Sequence, residues 1–396
     1  MICKMENTVQ HYPWGSPDLM SRLLDIESGS EGPKAELWMG AHPKAPSLIT
    51  CGGTQALLDD YINKNPESVI GKVSADRWGT LPFLFKVLTA GKSLSIQAHP
   101  DAEQARIGYD RENKAGIPLD APNRNYRDPN HKPELICALT PFLALRGFRP
   151  IDEILINFPE QVFPDLSEAV QNLKENRNRE ALAGFFRTVM ESPPDLRQRL
   201  IAGALKQKEH TDELTRRIIS GIAADYPGDI GILGPLYLNP VELSPGRAMF
   251  LDAGELHAYI KGGGIEIMAN SDNVLRGGST RKHIDVPELM NVLTFDPGKP
   301  EILSPRGAGA VKHYTAPAPE FRLSVISLAG KLELNTSDSP EILLCTEGEF
   351  HASGAGDGKV RCARGHSLFI TADQGSYTLS GEGMIFRAGT GAAERT

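Results

Sequence analysis

One block of the chain breaks its texture. Residues 151–230 hold 4 glycines in 80 positions, whereas the other 316 positions hold 35. Glycine and proline together supply 68 of 396 residues, so outside the block turns are frequent and strands must be short. Inside it, apolar residues recur at helical spacing: Ile151, Ile154 and Leu155; Leu196, Leu200, Ile201 and Leu205; Leu214, Ile218 and Ile222. Charged residues fill 24 of its 80 positions, as solvated helix faces require, and Pro159, Pro164, Pro193, Pro194 and Pro227 punctuate it. A β-rich chain interrupted by amphipathic helices must bury their apolar stripes against one another or against a sheet.

The flanking sequence reads as strands between turns. Leu81–Leu88 and Ser93–Ile96 are early examples, and Leu19–Leu24 is an isolated helical patch. After residue 320 come short apolar or alternating runs: 321–328, 331–335, 341–345, 367–371, 376–379 and 384–386. That spacing predicts an all-β sandwich or barrel. The expected class is therefore mainly β with a helical insert. Its three parts are residues 1–150 with 231–320, the helical residues 151–230, and residues 321–396.

Charge and composition exclude several classes of function. The net charge of −8 and pI near 5.8 give no global attraction for nucleic acid or an anionic membrane. A mean hydropathy of −0.27 with 7% aromatic residues argues against a membrane protein and against disorder. The N-terminus has no apolar leader segment, and the longest uncharged apolar run, 135–145, is short and broken by Pro141. Five scattered cysteines with no C-x-x-C predict free thiols in a reducing cytoplasm. An anionic small molecule needs only a local cationic cluster.

Three segments carry chemistry. In Ser93-Leu-Ser-Ile-Gln-Ala-His-Pro100, a strand places Gln97 and His99 on one face, where they offer an amide oxygen and an imidazole nitrogen to one point. Alone, the pair is a weak metal signal and better fits a hydrogen-bonded lining of a barrel. Tyr126-Arg-Asp-Pro-Asn-His-Lys-Pro-Glu134 packs Arg127, Asp128, His131, Lys132 and Glu134 around two prolines, which stiffen it. Glu134 opens the apolar run Leu135–Leu139, where a carboxylate needs a cation partner, metal or lysine. The third segment runs from Gly246 through a turn at Asp252-Ala-Gly254 to His257, and resembles the second motif of the cupin barrels, with Asp252 in place of the usual proline. Downstream, Gly262-Gly-Gly264 has the spacing of neither a P-loop nor a dinucleotide fingerprint. Arg276, Arg281 and Lys282 supply the cationic cluster.

Together these segments resemble the type I phosphomannose isomerase family. Tyr126–Glu134 fits its signature Y-x-D-x-N-H-K-P-E at every specified position. His257–Lys282 resembles its second signature, departing at Gly277, where alanine is usual, and at Arg281, where proline is usual. The resemblance implies two cupin-like β-barrel (jelly-roll) units with an α-helical subdomain, the first barrel catalytic and the second, after residue 320, metal-free. It implies one Zn²⁺ held by Gln97, His99, Glu134 and His257, an O/N set that leaves room for water or substrate. Glu103, four residues after His99, is a rival carboxylate on cupin spacing, but Glu134 belongs to the more specific signature.

The implied reaction interconverts mannose 6-phosphate and fructose 6-phosphate through a cis-enediol, which places the chain in mannose metabolism. Lys132 is the first candidate for base or proton shuttle, His131 for ring opening, and Arg276 for charge on the enediolate. Lys282 is expected on the phosphate, and Lys86 lines the pocket or faces solvent. A small sugar phosphate is the only partner expected, with no nucleic acid, no membrane and a monomeric chain. Two rivals stand beside this reading. A metal-dependent cupin oxygenase usually needs three nitrogen ligands, which Gln97 argues against. A non-catalytic sugar-phosphate-binding cupin needs no lysine beside a metal carboxylate, so Lys132 argues against that.

Overall fold

A computed structural model of the chain describes residues 1–26, 32–355 and 358–391. Its strands form two antiparallel assemblies. One has ten strands arranged around His257–Ala269, which pairs on one side with Phe83–Ala90 and on the other with Glu134–Ala138 and Phe142–Phe148. The 13-residue central strand changes partners along its length, and Gly262-Gly-Gly264 marks the change. A Cβ on Gly262 would stand 2.6 Å from the Pro141 carbonyl, and one on Gly264 2.8 Å from Ile136 Cδ1. The triple glycine is thus a packing requirement of a crossed strand.

The Gly-poor block is helical. Ile151–Asn157, Ser167–Asn176, Arg179–Met190, Pro194–Gln207 and Glu213–Asp225 follow one another, and Asn178 and Asp212 cap the third and fifth by accepting backbone N–H groups. Their apolar stripes form one core with strand residues: Phe158, Phe185, Phe186 and Ile218 pack with Ile96, Leu145, Leu256 and Ala258. Burying such a side chain contributes about 1.5–3 kcal/mol, so the helices are held mainly by the sheet they cover. None of the described helices is long and apolar enough to cross a membrane.

The second assembly has nine strands. The runs read separately after residue 320 are continuous here: Arg322–Asn335, Glu341–Gly354 and Ser376–Gly389 are each 14 residues long. Glycines interrupt the apolar alternation but not the ladder, since Gly330 pairs with Gly381 and Gly348 with Gly383. The sheet also draws in the start of the chain. Ile2–Glu6 lies between Ser367–Ile370 and Leu48–Cys51, so the division at residue 321 does not separate the two assemblies.

That pairing corrects the expectation for the cysteines. Cys3 and Cys51 face each other on adjacent antiparallel strands and form a disulfide with Cα atoms 4.5 Å apart. The 48-residue separation hid this, because only tertiary pairing brings the two together. Cys137, Cys345 and Cys362 are free and buried.

Candidate active site and metal centre

Strand register assembles the site. His257 and Arg276 both pair with Gln97, so three strands set three polar side chains in a row. One layer over, Trp38, Lys86 and Glu266 stand in a second row across three neighbouring strands. Glu134 is the first residue of its strand, opposite Met268 and Leu251. The turn Asp252-Ala-Gly254 closes on the first row, since the Gly254 N–H donates to the His99 carbonyl.

The segment before Glu134 is pinned throughout. Glu112 accepts from the N–H groups of Asn125 and Tyr126 and pairs with Arg124, while the Tyr126 hydroxyl donates to Glu288. Asn273 accepts from the N–H groups of Arg127 and Asp128, and its amide donates to the carbonyls of Asp128 and Asn130. Its own carbonyl accepts from His99 Nδ1 at 2.7 Å. His257 Nδ1 likewise donates to the Glu255 carbonyl at 2.9 Å.

Those two bonds set the tautomers. With Nδ1 of each ring protonated, both Nε2 atoms carry lone pairs, and both point at one carboxylate. His99 Nε2 is 3.3 Å from Glu134 Oε1, and His257 Nε2 is 3.5 Å from Glu134 Oε2. Burial and the nearby Lys132 charge pull His99 down to about 4 despite the attraction of Glu134, so the ring is neutral. His99 Nε2 and Glu134 Oε2 are buried without a hydrogen-bond partner. Two lone pairs and an anion facing one another in the interior call for a cation between them. The three ligand atoms lie within 4.8 Å of one another, so the residues fit a metal ion.

Gln97 differs from its expected attitude. Its Nε2 faces His257 Nε2 at 3.5 Å, and its Oε1 accepts from the Ser95 hydroxyl. A ligating orientation is the opposite one, reached by a half-turn of the carboxamide that leaves Nε2 to donate to Ser95.

In front of this group lies a cavity of about 260 Å³, lined by Gln97, Lys86, Lys132, Arg276 and Lys282 among others. Lys132 Nζ lies 2.9 Å from Glu134 Oε1 and so joins cavity and metal group. Lys86 is buried, not solvent-facing: its Nζ lies 2.9 Å from Glu266 and 3.6 Å from Glu36. Against the cost of burial, Glu266 and Glu36 keep it charged. Lys282 stands at the rim, where burial and the charges of Arg276, Arg127 and Lys44 lower its proton affinity. That electropositive end is where an anion gains most.

His131 is not brought to the cavity. Its Nε2 lies 2.9 Å from Glu320 Oε1, so it ties the signature segment to the chain ahead of the C-terminal strands. Arg281 is exposed and also off the cavity wall. Glu103 is exposed, apart from the metal group. Conversely, His42, Asp272 and Trp38 line the cavity without having been singled out. Asp272 pairs with Lys44 at 2.7 Å and lies 3.7 Å from His42. The S-D-N triplet in the second signature was the available signal for Asp272 and Asn273; nothing local marked His42.

Comparison with known proteins gives concordant matches. Residues 2–151 match the family described as phosphomannose isomerase type I, catalytic domain, and residues 310–389 match mannose-6-phosphate isomerase, cupin domain. The mannose-6-phosphate isomerase of Salmonella typhimurium is 42% identical over 391 residues, 97% of this chain and 98% of its own. That of Escherichia coli is 40% identical over 390 residues, again 97% and 98%. A solved mannose 6-phosphate isomerase in its holo, zinc-bound form superposes with a TM-score of 0.92 at 40% identity, covering 99% of this chain and 100% of that one.

Proposed function

The chain belongs to the type I phosphomannose isomerase family, and from that premise we propose that it is a zinc-dependent aldose–ketose isomerase interconverting mannose 6-phosphate and fructose 6-phosphate. The observation that carries this reading is the convergence of His99 Nε2, His257 Nε2 and the Glu134 carboxylate in the interior, where His99 Nε2 and Glu134 Oε2 have no hydrogen-bond partner. Those residues, with Gln97 turned as described, would hold Zn²⁺. When bound, the ion would polarise the substrate oxygens and leave the chain to move the proton.

The remaining roles follow from position. Lys282 at the electropositive rim binds the phosphate, which directs the sugar carbons inward toward Lys132. Lys86, fixed between two carboxylates, presents its N–H groups to sugar hydroxyls. Lys132, in its neutral amine form, accepts the C2 proton of the open-chain aldose as the C–H electron pair moves into the C1–C2 bond and the C1 carbonyl pair moves onto O1. Arg276 meets the negative charge that then develops on the enediolate oxygen. Transfer of the O2 proton to O1, with return of the proton from Lys132 to C1 as the C2 carbonyl forms, completes the ketose. His131 has no part in ring opening in this scheme; its bond to Glu320 makes it an anchor of the loop that carries Lys132.

The test is conversion of fructose 6-phosphate to mannose 6-phosphate by the purified protein, before and after chelation and with zinc restored. Chelation is expected to abolish turnover and zinc to restore it. Lys132→Met is expected to lower turnover by about 10²–10⁴-fold, the usual contribution of a general base, with zinc content unchanged. Binding without turnover in a folded, zinc-replete sample would instead support a non-catalytic sugar-phosphate-binding protein.

A further inference from the structure

The helical block reaches the substrate cavity at one end. Just after the helix Glu213–Asp225, the Tyr226 hydroxyl donates to the Ser93 carbonyl at 3.0 Å, and the Asp225 carboxylate accepts from the Ser93 N–H at 2.8 Å. Ser93 opens the segment that carries Gln97 and His99, so this end of the block is fixed against the site. Asp229 follows, half-buried, and caps the single turn Ile230–Leu233, its Oδ1 accepting from the Gly231 N–H at 2.7 Å.

A cap needs no more than that. Yet the same carboxylate also takes two N–H groups from a turn 50 residues further on: Ser279 donates to Oδ1 at 2.6 Å and Thr280 to Oδ2 at 3.3 Å. Ser279 has a φ of +52°, in the left-handed region that residues other than glycine seldom adopt, so the turn needs support from outside itself. The Thr280 hydroxyl in turn accepts from the Lys282 N–H at 3.1 Å. Block and turn are in close contact, since a Cβ on Gly231 would stand 2.5 Å from the Ser279 nitrogen. Ser279, Thr280 and Lys282 line the cavity in front of the metal group, whereas Asp229 and Gly231 do not.

We infer that Asp229 is a positioning residue: from the helical block it holds the turn Ser279–Lys282 in the shape that presents Lys282 to the phosphate of the substrate, an anion whose identity rests on the isomerase reading. The sign of the effect separates this role from plain electrostatics. Loss of a negative charge near a cationic rim would by itself tighten anion binding, whereas loss of the support weakens it.

Glucitol 6-phosphate has the phosphate and hydroxyls of the substrate but no carbonyl. Its calorimetric titration into the zinc-loaded full-length protein, with KM and kcat for fructose 6-phosphate, tests the inference. In Asp229→Ala, glucitol 6-phosphate should bind about ten- to a hundredfold more weakly, the scale of a lost charge-assisted contact, and KM should rise by the same factor with zinc content unchanged. The change in kcat should stay below about threefold, since the phosphate is held alike in ground and transition states. Asp229→Asn removes the charge but keeps an acceptor for Gly231 and Ser279, and should restore binding to within about threefold. Gly231→Ala, which forces block and turn apart, should reproduce the weakening and serves if Asp229→Ala does not fold. Unaltered or tighter binding in either folded alanine variant, or a loss confined to kcat, overturns the inference. An unaltered protein without turnover, whose binding of glucitol 6-phosphate is still weakened by these variants, supports the inference while overturning the isomerase reading.

Discussion

At Asn273 one carboxamide serves four backbone groups, while the residue's backbone carbonyl fixes the His99 tautomer. Asn273→Ala strands buried polar groups at about 1–3 kcal/mol each and frees the segment that presents Lys132 and Glu134. Loss of such a support costs about 10–100-fold in metal affinity, so zinc should pass to a competing chelator at correspondingly lower concentration. His42 yields a pH dependence. Burial, with Lys44, Lys86 and Lys132 nearby, pulls it down to about 4 against the attraction of Asp272. The unfolded chain protonates this ring near about pH 6.5, so between those values it binds a proton that the native state refuses. Stability is therefore full above about pH 6.5 and is lost as pH falls toward 4, by at most about 3 kcal/mol. Urea unfolding at pH 7.5 and 4.5 should show His42→Gln losing less than the unaltered protein; equal losses would remove His42 as the source. Gly277, where the family usually has alanine, leaves room for a methyl: a Cβ there meets Leu256 and Leu289 at 3.4 Å, ordinary contact distance. Gly277→Ala should gain about 0.4–1 kcal/mol by restricting the unfolded chain, with activity retained.

The helix Ala102–Lys114 shows the opposite outcome for the same kind of substitution. It begins two residues after His99-Pro100 with a capping box, in which Asp101 accepts from the Gln104 N–H and the Gln104 side chain accepts from the Asp101 N–H. Gly108 lies on its buried side, and a Cβ there would stand 2.4 Å from the Tyr126 ring. Alanine gains about 1 kcal/mol in helix propensity, but Tyr126 is 1% exposed and tied to Glu288, so it cannot move away cheaply. Overpacking costs about 1–3 kcal/mol, and it wins. Gly108→Ala should therefore lower the unfolding midpoint and, because Tyr126 opens the signature segment, lower turnover as well. Legibility followed the same division between local and distant causes. The helical block could be read because its apolar spacing is local, and His99, Glu134 and His257 because they sit in short motifs that the family signatures mark. The continuous C-terminal strands could not, since Gly330, Gly348 and Gly381 interrupt the pattern that marks a strand. Nor could His42, whose contact with Asp272 spans more than half the chain, or the turn of His131 toward Glu320.

For the molecule as a whole, the question is whether the C-terminal strands are an appendage. Their inner face supplies Phe321, Leu323, Ile342, Leu344, Phe369 and Phe386 to a core that also holds Met39, Ile49, Phe83, Phe85, Leu135 and Ile265. Phe83 and Phe85 lie on the strand that carries Lys86, and Leu135 follows Glu134, so the core lies directly behind the site. Six such side chains contribute roughly 10 kcal/mol or more of apolar burial, as large as the whole stability of a typical domain. Removal of residues 321–396 would also leave Ile2–Glu6 without its partner Ser367–Ile370. A chain ending at residue 320 should therefore neither fold nor retain zinc. In the intact protein, Trp14, Trp38 and Trp78 all precede residue 100, so their fluorescence reports the first part of the chain, while circular dichroism reports every strand and helix. The shared core requires the two signals, and the release of zinc, to change at one urea concentration. A dichroism change that persists after the tryptophans are fully exposed would show that the C-terminal strands stand alone, and a soluble, zinc-retaining chain of 320 residues would show the same for the catalytic part.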